Sequence, residues 1–180
     1  MVATVAELIA AIKNGYRTRS LFHFTDEANL KSIRQHGLLS KAELDARGIV
    51  PVNPGGDDAS RQSDTKEGIY DDVRLSLVRK HSMAYICKRD ERQTDQIVFS
   101  VDPVVMSLPN VRMSLGMANS SANPKIPLQD AVGFVDVDVM YTNHGRDWSE
   151  IRDTVKRNQK YEVLIPKVVE PRFLLGFWRM

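Results

Sequence analysis

Short apolar runs, bounded by polar residues, glycine or proline, recur along most of the chain and constrain its fold more than any other feature. Runs of this length, rich in β-branched residues, are typical of β-strands. The runs predicted as strands are LFHF (21–24), VRLSLV (73–78), QIVFSVDP (96–103), VGFVDVDVMY (132–141), YEVLIP (161–166) and FLLGFW (173–178). Helical spacing predicts fewer and shorter helices: residues 5–12, a helix between Asp26 and Gly37, one from Ser82 onward and one across Trp148 to Val155. The pattern therefore predicts an α+β fold.

The length of 180 residues predicts a single domain, 1–180, in which residues 1–19 form an N-terminal helix or arm. No run approaches the roughly 18 apolar residues that a membrane span needs. The first basic residues follow the N-terminal apolar stretch, whereas in a secretory signal they precede it. Cys87 is the single cysteine, which excludes an internal disulfide or a multi-thiolate metal site. We therefore expect a protein of the reducing cytoplasm that has no membrane partner.

The overall charge does not indicate a nucleic-acid-binding polycation, because 25 Lys and Arg residues oppose 23 Asp and Glu residues. The basic residues are nevertheless concentrated in two stretches. They are Arg79, Lys80, His81, Lys88, Arg89 and Arg92 in the first and Arg146, Arg152, Lys156, Arg157 and Lys160 in the second. Each stretch alone is typical of a solvated helix face. Two such stretches flanking one site would suit a polyanion.

Two segments lack periodicity. Residues 45–68 are mostly polar and contain Pro51, Pro54 and a glycine pair, and residues 107–130 are rich in Ser, Asn and Pro. Structureless stretches of about 20 residues inside a compact domain are often functional. Both are predicted to be long loops.

Two residues stand out as candidates for chemistry. His23 lies in an apolar strand, where it is either a core histidine hydrogen-bonded through its ring or a binding residue. Glu162 starts an apolar strand and is either a solubilising residue at a strand edge or a carboxylate that is buried for use. Asp136 and Asp138 alternate regularly in their predicted strand and are expected to face solvent.

Other chemistries find little support. The histidines His23, His36, His81 and His144 show no zinc-binding spacing, so no metal site is predicted. Cys87 is expected to be a buried thiol and not a nucleophile. Dinucleotide-fold, P-loop and serine-hydrolase motifs do not occur.

Three sequence blocks together resemble the DarT-type nucleic-acid ADP-ribosyltransferases, a family of toxins. They are LFHFTDEANLKSIRQHGLLS at the first strand and helix, DDVRLSLVRKHSMAYI in the centre and KYEVLIPKVVEP near the end. The resemblance covers about residues 20–172. It implies a compact ADP-ribosyltransferase fold of split small β-sheets with flanking helices and a cleft for NAD.

The resemblance also implies roles for individual residues. Glu162 matches the catalytic glutamate, and Arg61 stands where the family places an arginine thought to hold the cofactor phosphates. The 45–68 loop would then lie near NAD or the substrate. The residues expected to bind NAD are His23, Phe24, Thr25, Asn29, Gly37, Leu38, Arg61 and Tyr85. NAD is a co-substrate in this chemistry and no metal is needed.

The implied reaction moves ADP-ribose from NAD to a base of single-stranded DNA, with RNA as the alternative acceptor, and releases nicotinamide. Arg79, Lys80, Arg152, Lys156 and Lys160 would hold the nucleic-acid phosphates. Lys160 stands where protein-modifying relatives carry Glu or Gln, which disfavours a protein target. The family has a strand like Tyr-Val-Pro-Phe-Tyr-Phe where this chain has DVRLSL, so the identity of the base stays open.

A cognate antitoxin, often an ADP-ribosyl hydrolase macrodomain in the family, is implied as a partner. Three alternatives stay open: a protein ADP-ribosyltransferase, an RNA 2'-phosphotransferase and a non-catalytic nucleic-acid-binding module. The phosphotransferase is disfavoured because Glu162 would have no evident role in it.

Overall fold

A computed structural model describes residues 2–16, 18–93, 95–142 and 145–180. Helices are α1 (Val5–Lys13), α2 (Leu30–His36), α3 (Lys41–Ala46), α4 (Asp58–Lys66), α5 (Ser82–Arg89), α6 (Leu128–Ala131), α7 (Val137–Tyr141) and α8 (Trp148–Asn158). Strands are β1 (Leu21–Asp26), β2 (Leu38–Leu39), β3 (Asp72–Ser76), β4 (Gln96–Val101), β5 (Arg112–Ser114), β6 (Lys125–Pro127), β7 (Glu162–Pro166), β8 (Val168–Val169) and β9 (Leu174–Arg179). Short 3-10 turns connect several of them. The predicted α+β class is confirmed.

The main sheet has seven strands in the order β6-β5-β7-β3-β1-β4-β9, and a second sheet pairs β2 with β8. Strand β1 pairs with β4 along its whole length, from Leu21 opposite Val101 to Asp26 opposite Gln96. It meets β3 at a single position, where Phe22 lies opposite Ser76. The seven strands therefore part between β1 and β3, which is the split sheet that the resemblance implied.

The hydrophobic core lies between the main sheet and the helices packed on it. Leu8 and Ile12 on one face of α1 are fully buried against this core, together with Leu21, Phe99 and Val163 from the sheet. Thr4 and Glu7 form a capping box that starts α1. The N-terminal segment therefore packs on the domain through α1.

The turn from β1 into α2 forms as its sequence predicts. The Asp26 carboxylate accepts a hydrogen bond from the Ala28 N–H at 2.9 Å and caps the first turn. Gly37 ends α2 with φ of +81°, and a Cβ at this position would lie 2.2 Å from the Val169 carbonyl oxygen. Only glycine fits there, because both the backbone angle and the contact exclude a side chain.

The strand predicted at 132–141 is wrong. Residues 132–134 form a 3-10 turn and α7 follows, with the Asp136 side chain capping it through the Val139 N–H. The buried valines of this segment are Val132 in the 3-10 turn, Val135 just after it and Val139 on α7. The alternation of valine and aspartate is thus a capped helix.

The two predicted loops contain regular structure. Within 45–68, helix α4 starts at Asp58 and is capped by Asp57, whose carboxylate accepts from the Ser60 N–H at 2.8 Å. Within 107–130, the short strands β5 and β6 extend the sheet. In the described part of the chain, every helix is too short or too polar to cross a membrane.

Candidate active site

A cleft of about 270 Å³ opens where β1 and β3 part, and it brings together most of the predicted site residues. Those lining it are His23, Phe24, Thr25, Asn29, Gly37, Leu38, Arg61 and Glu162. They come from β1, the turns on either side of α2, the start of β2, helix α4 and β7. Residues far apart in the sequence thus face one cavity, as expected of a ligand site.

Glu162 is a buried acid that lines this cleft. It opens β7, which is an interior strand: Glu162 lies opposite Ser76 of β3 on one side and Ser114 of β5 on the other. Its residue exposure is 8%, and its Oε2 accepts a hydrogen bond from the Ala118 N–H at 2.6 Å. The interpretation as a strand-edge solubilising residue is therefore wrong. The backbone holds one oxygen and leaves Oε1 for a ligand.

His23 is hydrogen-bonded through its ring, as one interpretation of the sequence predicted, and it also lines the cleft. Its Nδ1 lies 3.1 Å from the Arg74 carbonyl oxygen, so the ring bridges β1 and β3 just beyond their single ladder pair. Nδ1 must donate to this carbonyl, and Nε2 of the neutral ring is then an acceptor. Burial lowers the pKa of His23 below its ordinary value of 6.5, more than the hydrogen bond to Arg74 raises it. We call His23, Thr25, Ser76 and Glu162 the strand wall.

Four charged residues that also line the cleft form what we call the charged cluster: Lys41, Arg61, Asp64 and Arg74. Asp64 is buried and pairs with Lys41 at 2.5 Å and with Arg74 at 3.2 Å. Arg61 and Asp64 lie three positions apart on α4, so they share a helix face. Burial lowers the pKa of Lys41 more than the contact with Asp64 raises it. With Asp45, which pairs with Arg61, three cations oppose two carboxylates, so a net positive charge remains.

Arg61 is held at the cleft by its own contacts. Its Nη2 lies 2.7 Å and 2.8 Å from the two Asp45 carboxylate oxygens and 2.5 Å from the Tyr70 hydroxyl. The Asp45 carboxylate raises the pKa of Arg61, while hydrogen bonds from Tyr70 and Arg61 lower the pKa of Asp45. The sequence placed Arg61 in a loop, whereas the structure places it on α4.

Asn29 fastens the segment that leads into α4. Its amide donates to the Val52 carbonyl at 2.8 Å, and its Oδ1 accepts from the Val52 N–H at 2.7 Å. It also donates to the Thr25 hydroxyl at 3.2 Å. Asn29 therefore joins β1 to residues 51–56, which form part of the cleft lining.

Tyr85 does not line the cleft, which contradicts its prediction as an NAD-binding residue. Its side chain is 70% exposed, whereas Met83 and Cys87 on the same helix line the cavity. Positions 83 and 87 share a helix face and position 85 faces away from it. Cys87 is buried and donates to the Gly55 carbonyl at 3.3 Å, and burial raises the pKa of its thiol.

The five predicted nucleic-acid-binding cations lie outside the cavity and are exposed: Arg79, Lys80, Arg152, Lys156 and Lys160. Arg79 and Lys80 follow the end of β3, and Lys160 precedes the start of β7. Because β3 and β7 are antiparallel neighbours, these three residues leave the sheet at one end, near Glu162. The Arg79 guanidinium lies 4.8 Å above the exposed ring of Trp178, while Arg152 pairs with Asp153 at 3.4 Å.

Sequence reasoning missed Lys41, Asp64, Arg74 and His81 as site residues. These residues can be recognised as part of the cleft only from contacts across the fold, because no local sequence pattern marks them. His144 lies outside the described residues. Among the residues that are described, no three His, Cys, Asp or Glu side chains group as metal ligands would.

A family model described as DarT, the ssDNA thymidine ADP-ribosyltransferase, matches residues 22–178. The chain belongs to the DarT family. A comparison with curated proteins finds no match. The family assignment confirms the predicted resemblance to the DarT-type ADP-ribosyltransferases.

Solved structures confirm the ADP-ribosyltransferase fold of this family. DarTG of Thermosipho africanus in complex with ADP-ribose has a TM-score of 0.64 at 18% identity, covering 88% of this chain and 43% of that chain. DarT of Thermus sp. 2.9 in complex with ADP-ribosylated ssDNA has a TM-score of 0.64 at 13% identity, covering 87% of this chain and 79% of that chain. The same DarT in complex with NAD+ has a TM-score of 0.54 at 14% identity. This chain thus spans less than half of the Thermosipho protein and most of the Thermus one.

Proposed function

We propose that this protein, as one ADP-ribosyltransferase domain, transfers ADP-ribose from NAD to a thymine base of single-stranded DNA. The observation that carries the proposal is the position of Glu162. Its carboxylate is buried in the cleft and fixed through Oε2 by the Ala118 N–H, and the charged cluster lines the same cleft. The thymine base is taken from the description of the family. The cleft residues support the chemistry.

The cleft residues fit the chemical groups of NAD. The positive charge of Lys41, Arg61 and Arg74 suits a diphosphate, and the planar guanidinium can contact two phosphate oxygens at once. Phe24 supplies an aromatic surface in the same cavity, and His23 Nε2 supplies an acceptor for a hydroxyl. When bound, NAD supplies the ribosyl–nicotinamide bond that the reaction breaks.

Glu162 stabilises the positive charge that develops on the ribose as this bond breaks. Opposite charge fixed in advance in a site that excludes water lowers the barrier, because it needs no reorganisation during the reaction. A ring nitrogen of the base then forms the new bond to the ribose carbon and loses its proton to the Glu162 carboxylate, which passes it to water. Nicotinamide leaves as a neutral molecule, so charge and protons balance without a metal.

The acceptor enters as a single strand, because the reacting nitrogen of a paired and stacked base is out of reach. Arg79, Lys80 and Lys160 at the Glu162 end of the sheet, with Arg152 and Lys156 on α8, attract its phosphates. RNA offers the same phosphates, and uracil has the same ring nitrogen as thymine. RNA is therefore the alternative acceptor to be tested.

The product is a modified base that would harm the cell that makes the protein, so we also propose a cognate antitoxin. An ADP-ribosyl hydrolase macrodomain would reverse the modification. Cys87, the single cysteine, is buried and forms no disulfide, which supports a cytoplasmic location for the protein and its antitoxin.

The test is incubation with labelled NAD and separate pools of single-stranded DNA, duplex DNA, RNA and protein. We expect label to enter single-stranded DNA at thymine and to be lost with Glu162→Gln, which keeps an acceptor for Ala118. Label in the protein pool alone would overturn the proposal. Label in RNA in preference to DNA would move the substrate to RNA and retain the chemistry.

A further inference from the structure

His81 carries a buried polar atom that nothing in the described residues uses. The residue is 4% exposed and its ring lines the cleft with Glu162 and Phe24. Its Nε2 is buried without a hydrogen-bond partner. Such atoms are rare, because burial without a partner is unfavourable. An unpaired polar atom at a cleft wall is therefore expected to meet a ligand.

The other ring nitrogen fixes which tautomer is present. His81 precedes α5, and its Nδ1 accepts a hydrogen bond from the Met83 N–H at 3.3 Å. A nitrogen that accepts carries no proton, so Nε2 of the neutral ring is a donor. Burial lowers the pKa of His81 and outweighs the opposing effect of Glu162, while Arg74 lowers it further, so the ring is neutral at pH 7.

The capping role alone does not call for histidine. Serine, threonine, aspartate and asparagine are the preferred residues before a helix, and all of them place an oxygen where Nδ1 lies. Histidine adds to the cap a second nitrogen that reaches beyond it. Its ring lies nearly parallel to that of Phe24, with centroids 6.2 Å apart, and this packing limits its orientation.

The cleft therefore contains two imidazoles of opposite polarity. His23 donates through Nδ1 to the Arg74 carbonyl and leaves an acceptor, whereas His81 accepts through Nδ1 and leaves a donor. Phe24 stacks with both rings. The cleft therefore offers a ligand an acceptor from one imidazole and a donor from the other.

We propose that the His81 Nε2–H donates a hydrogen bond to a carbonyl oxygen of a planar heterocycle bound beside Glu162. The inference rests on the proposed function, which provides two such oxygens: a ring carbonyl of the acceptor base and the carboxamide of nicotinamide. In the base, negative charge spreads onto the carbonyls that flank the ring nitrogen as that nitrogen loses its proton. A fixed donor stabilises this charge, and it disfavours bases that present an amino group at the same place.

Two substitutions separate this role from capping. His81→Asn keeps an acceptor near Nδ1 for the Met83 N–H and removes the Nε2 donor. His81→Gln places an amide N–H near the position of Nε2 and gives up the cap. We expect His81→Asn to melt within a few degrees of the unmodified protein and to lose about tenfold or more in kcat/KM, as one donor to a developing charge would predict. His81→Gln should recover part of the activity despite a weaker cap.

Two assays identify the oxygen. Hydrolysis of NAD by water, measured without DNA, depends on the nicotinamide carboxamide alone, whereas transfer to a thymine-containing single strand depends on both. If His81→Asn lowers only transfer, the partner is the acceptor base. If it lowers both equally, the partner is nicotinamide.

The proposal is overturned if folded His81→Asn keeps both activities within about twofold of the unmodified protein, or if His81→Gln is no better than His81→Asn although its melting curve shows a folded protein. Failure of the proposed function looks different, because the unmodified protein would then transfer no ADP-ribose to any nucleic acid.

Discussion

The strand wall and the charged cluster line the same cleft, but they are held in place differently. Glu162 and His23 are fixed by main-chain partners, the Ala118 N–H and the Arg74 carbonyl, on strands that pair within the sheet. Lys41, Arg61 and Asp64 are fixed by other side chains across α3 and α4. Main-chain anchors leave little freedom, whereas Arg61 and its partner Asp45 remain 36% and 52% exposed.

This difference suits the strand wall and the charged cluster to different tasks. A carboxylate that cannot move is suited to stabilise a transition state, because its field is in place before charge develops. Cations on longer side chains are suited to bind a diphosphate in ground state and transition state alike, which affects affinity more than turnover. The comparison therefore predicts that changes in the strand wall lower kcat and that changes in the charged cluster raise KM.

The largest effect is expected from Glu162→Gln. The amide keeps the hydrogen bond from Ala118 but removes the negative charge, so kcat should fall by about 10²- to 10³-fold. The dissociation constant of NAD, measured by calorimetric titration, should stay within about threefold. A large loss of NAD affinity with little loss of turnover would contradict the division of tasks.

The next effect is expected from Arg61→Lys. Lysine keeps the charge but cannot contact two oxygens in one plane, so KM for NAD should rise by about tenfold while kcat changes little. Arg47→Lys is the matched control, because Arg47 pairs with Glu43 on α3 and does not line the cleft. Equal effects of the two substitutions would mean that the phosphate contacts lie elsewhere.

A smaller effect is expected outside the cleft. Lys156→Glu with Lys160→Glu should raise KM for a single-stranded oligonucleotide by several-fold and leave hydrolysis of NAD by water unchanged. Both lysines are exposed, and the affinity of single strands falls with salt with a slope of about −0.7 per neutralised phosphate.

The matched control reverses two exposed lysines that do not line the cleft, Lys31 and Lys66. If it raises KM as much as the first pair does, the effect is one of net charge alone. If the first pair has no effect at low salt, its stretch is a solvated helix face.

The smallest effect concerns pH. Burial lowers the folded-state pKa of His23 and His81 from an ordinary value of 6.5; the hydrogen bond to the Arg74 carbonyl opposes this shift at His23, and Glu162 opposes it at His81. The unfolded chain therefore binds more protons than the folded one below about pH 6.5, and stability should fall as the pH drops below this value. Thermal melting between pH 7.5 and 5.5 measures it, and His23→Ala should weaken the dependence.

The same comparison explains what the sequence could predict. Glu162, His23 and Thr25 lie in strands, where a polar residue interrupts a local apolar pattern and is visible in a few neighbouring letters. Lys41 and Asp64 are 23 positions apart, and no local pattern reports that two side chains meet across that distance.

The errors in secondary structure have similar causes. The sequence predicts a loop at α4 because this helix lacks an apolar stripe. The face that lines the cleft carries Ser60, Arg61 and Asp64. Residues 132–141 are predicted as a strand because valine and aspartate alternate there with a period of two. In the structure, Asp136 in this alternation caps helix α7 instead. The prediction for Tyr85 is wrong because a short segment does not determine which face of α5 is turned to the cleft.

The parting of β1 from β3 has a consequence for how the protein tolerates change over evolutionary time. Beyond Phe22 opposite Ser76, the edge of β1 that faces the cleft has no ladder partner on β3, so peptide groups are left for a ligand. Peptide groups are the same whatever side chain follows them. A site built partly from them can survive extensive replacement of amino acids, which accords with a shared fold at 13% identity. Mutational drift along this edge should therefore alter which molecule is preferred sooner than whether the cleft exists.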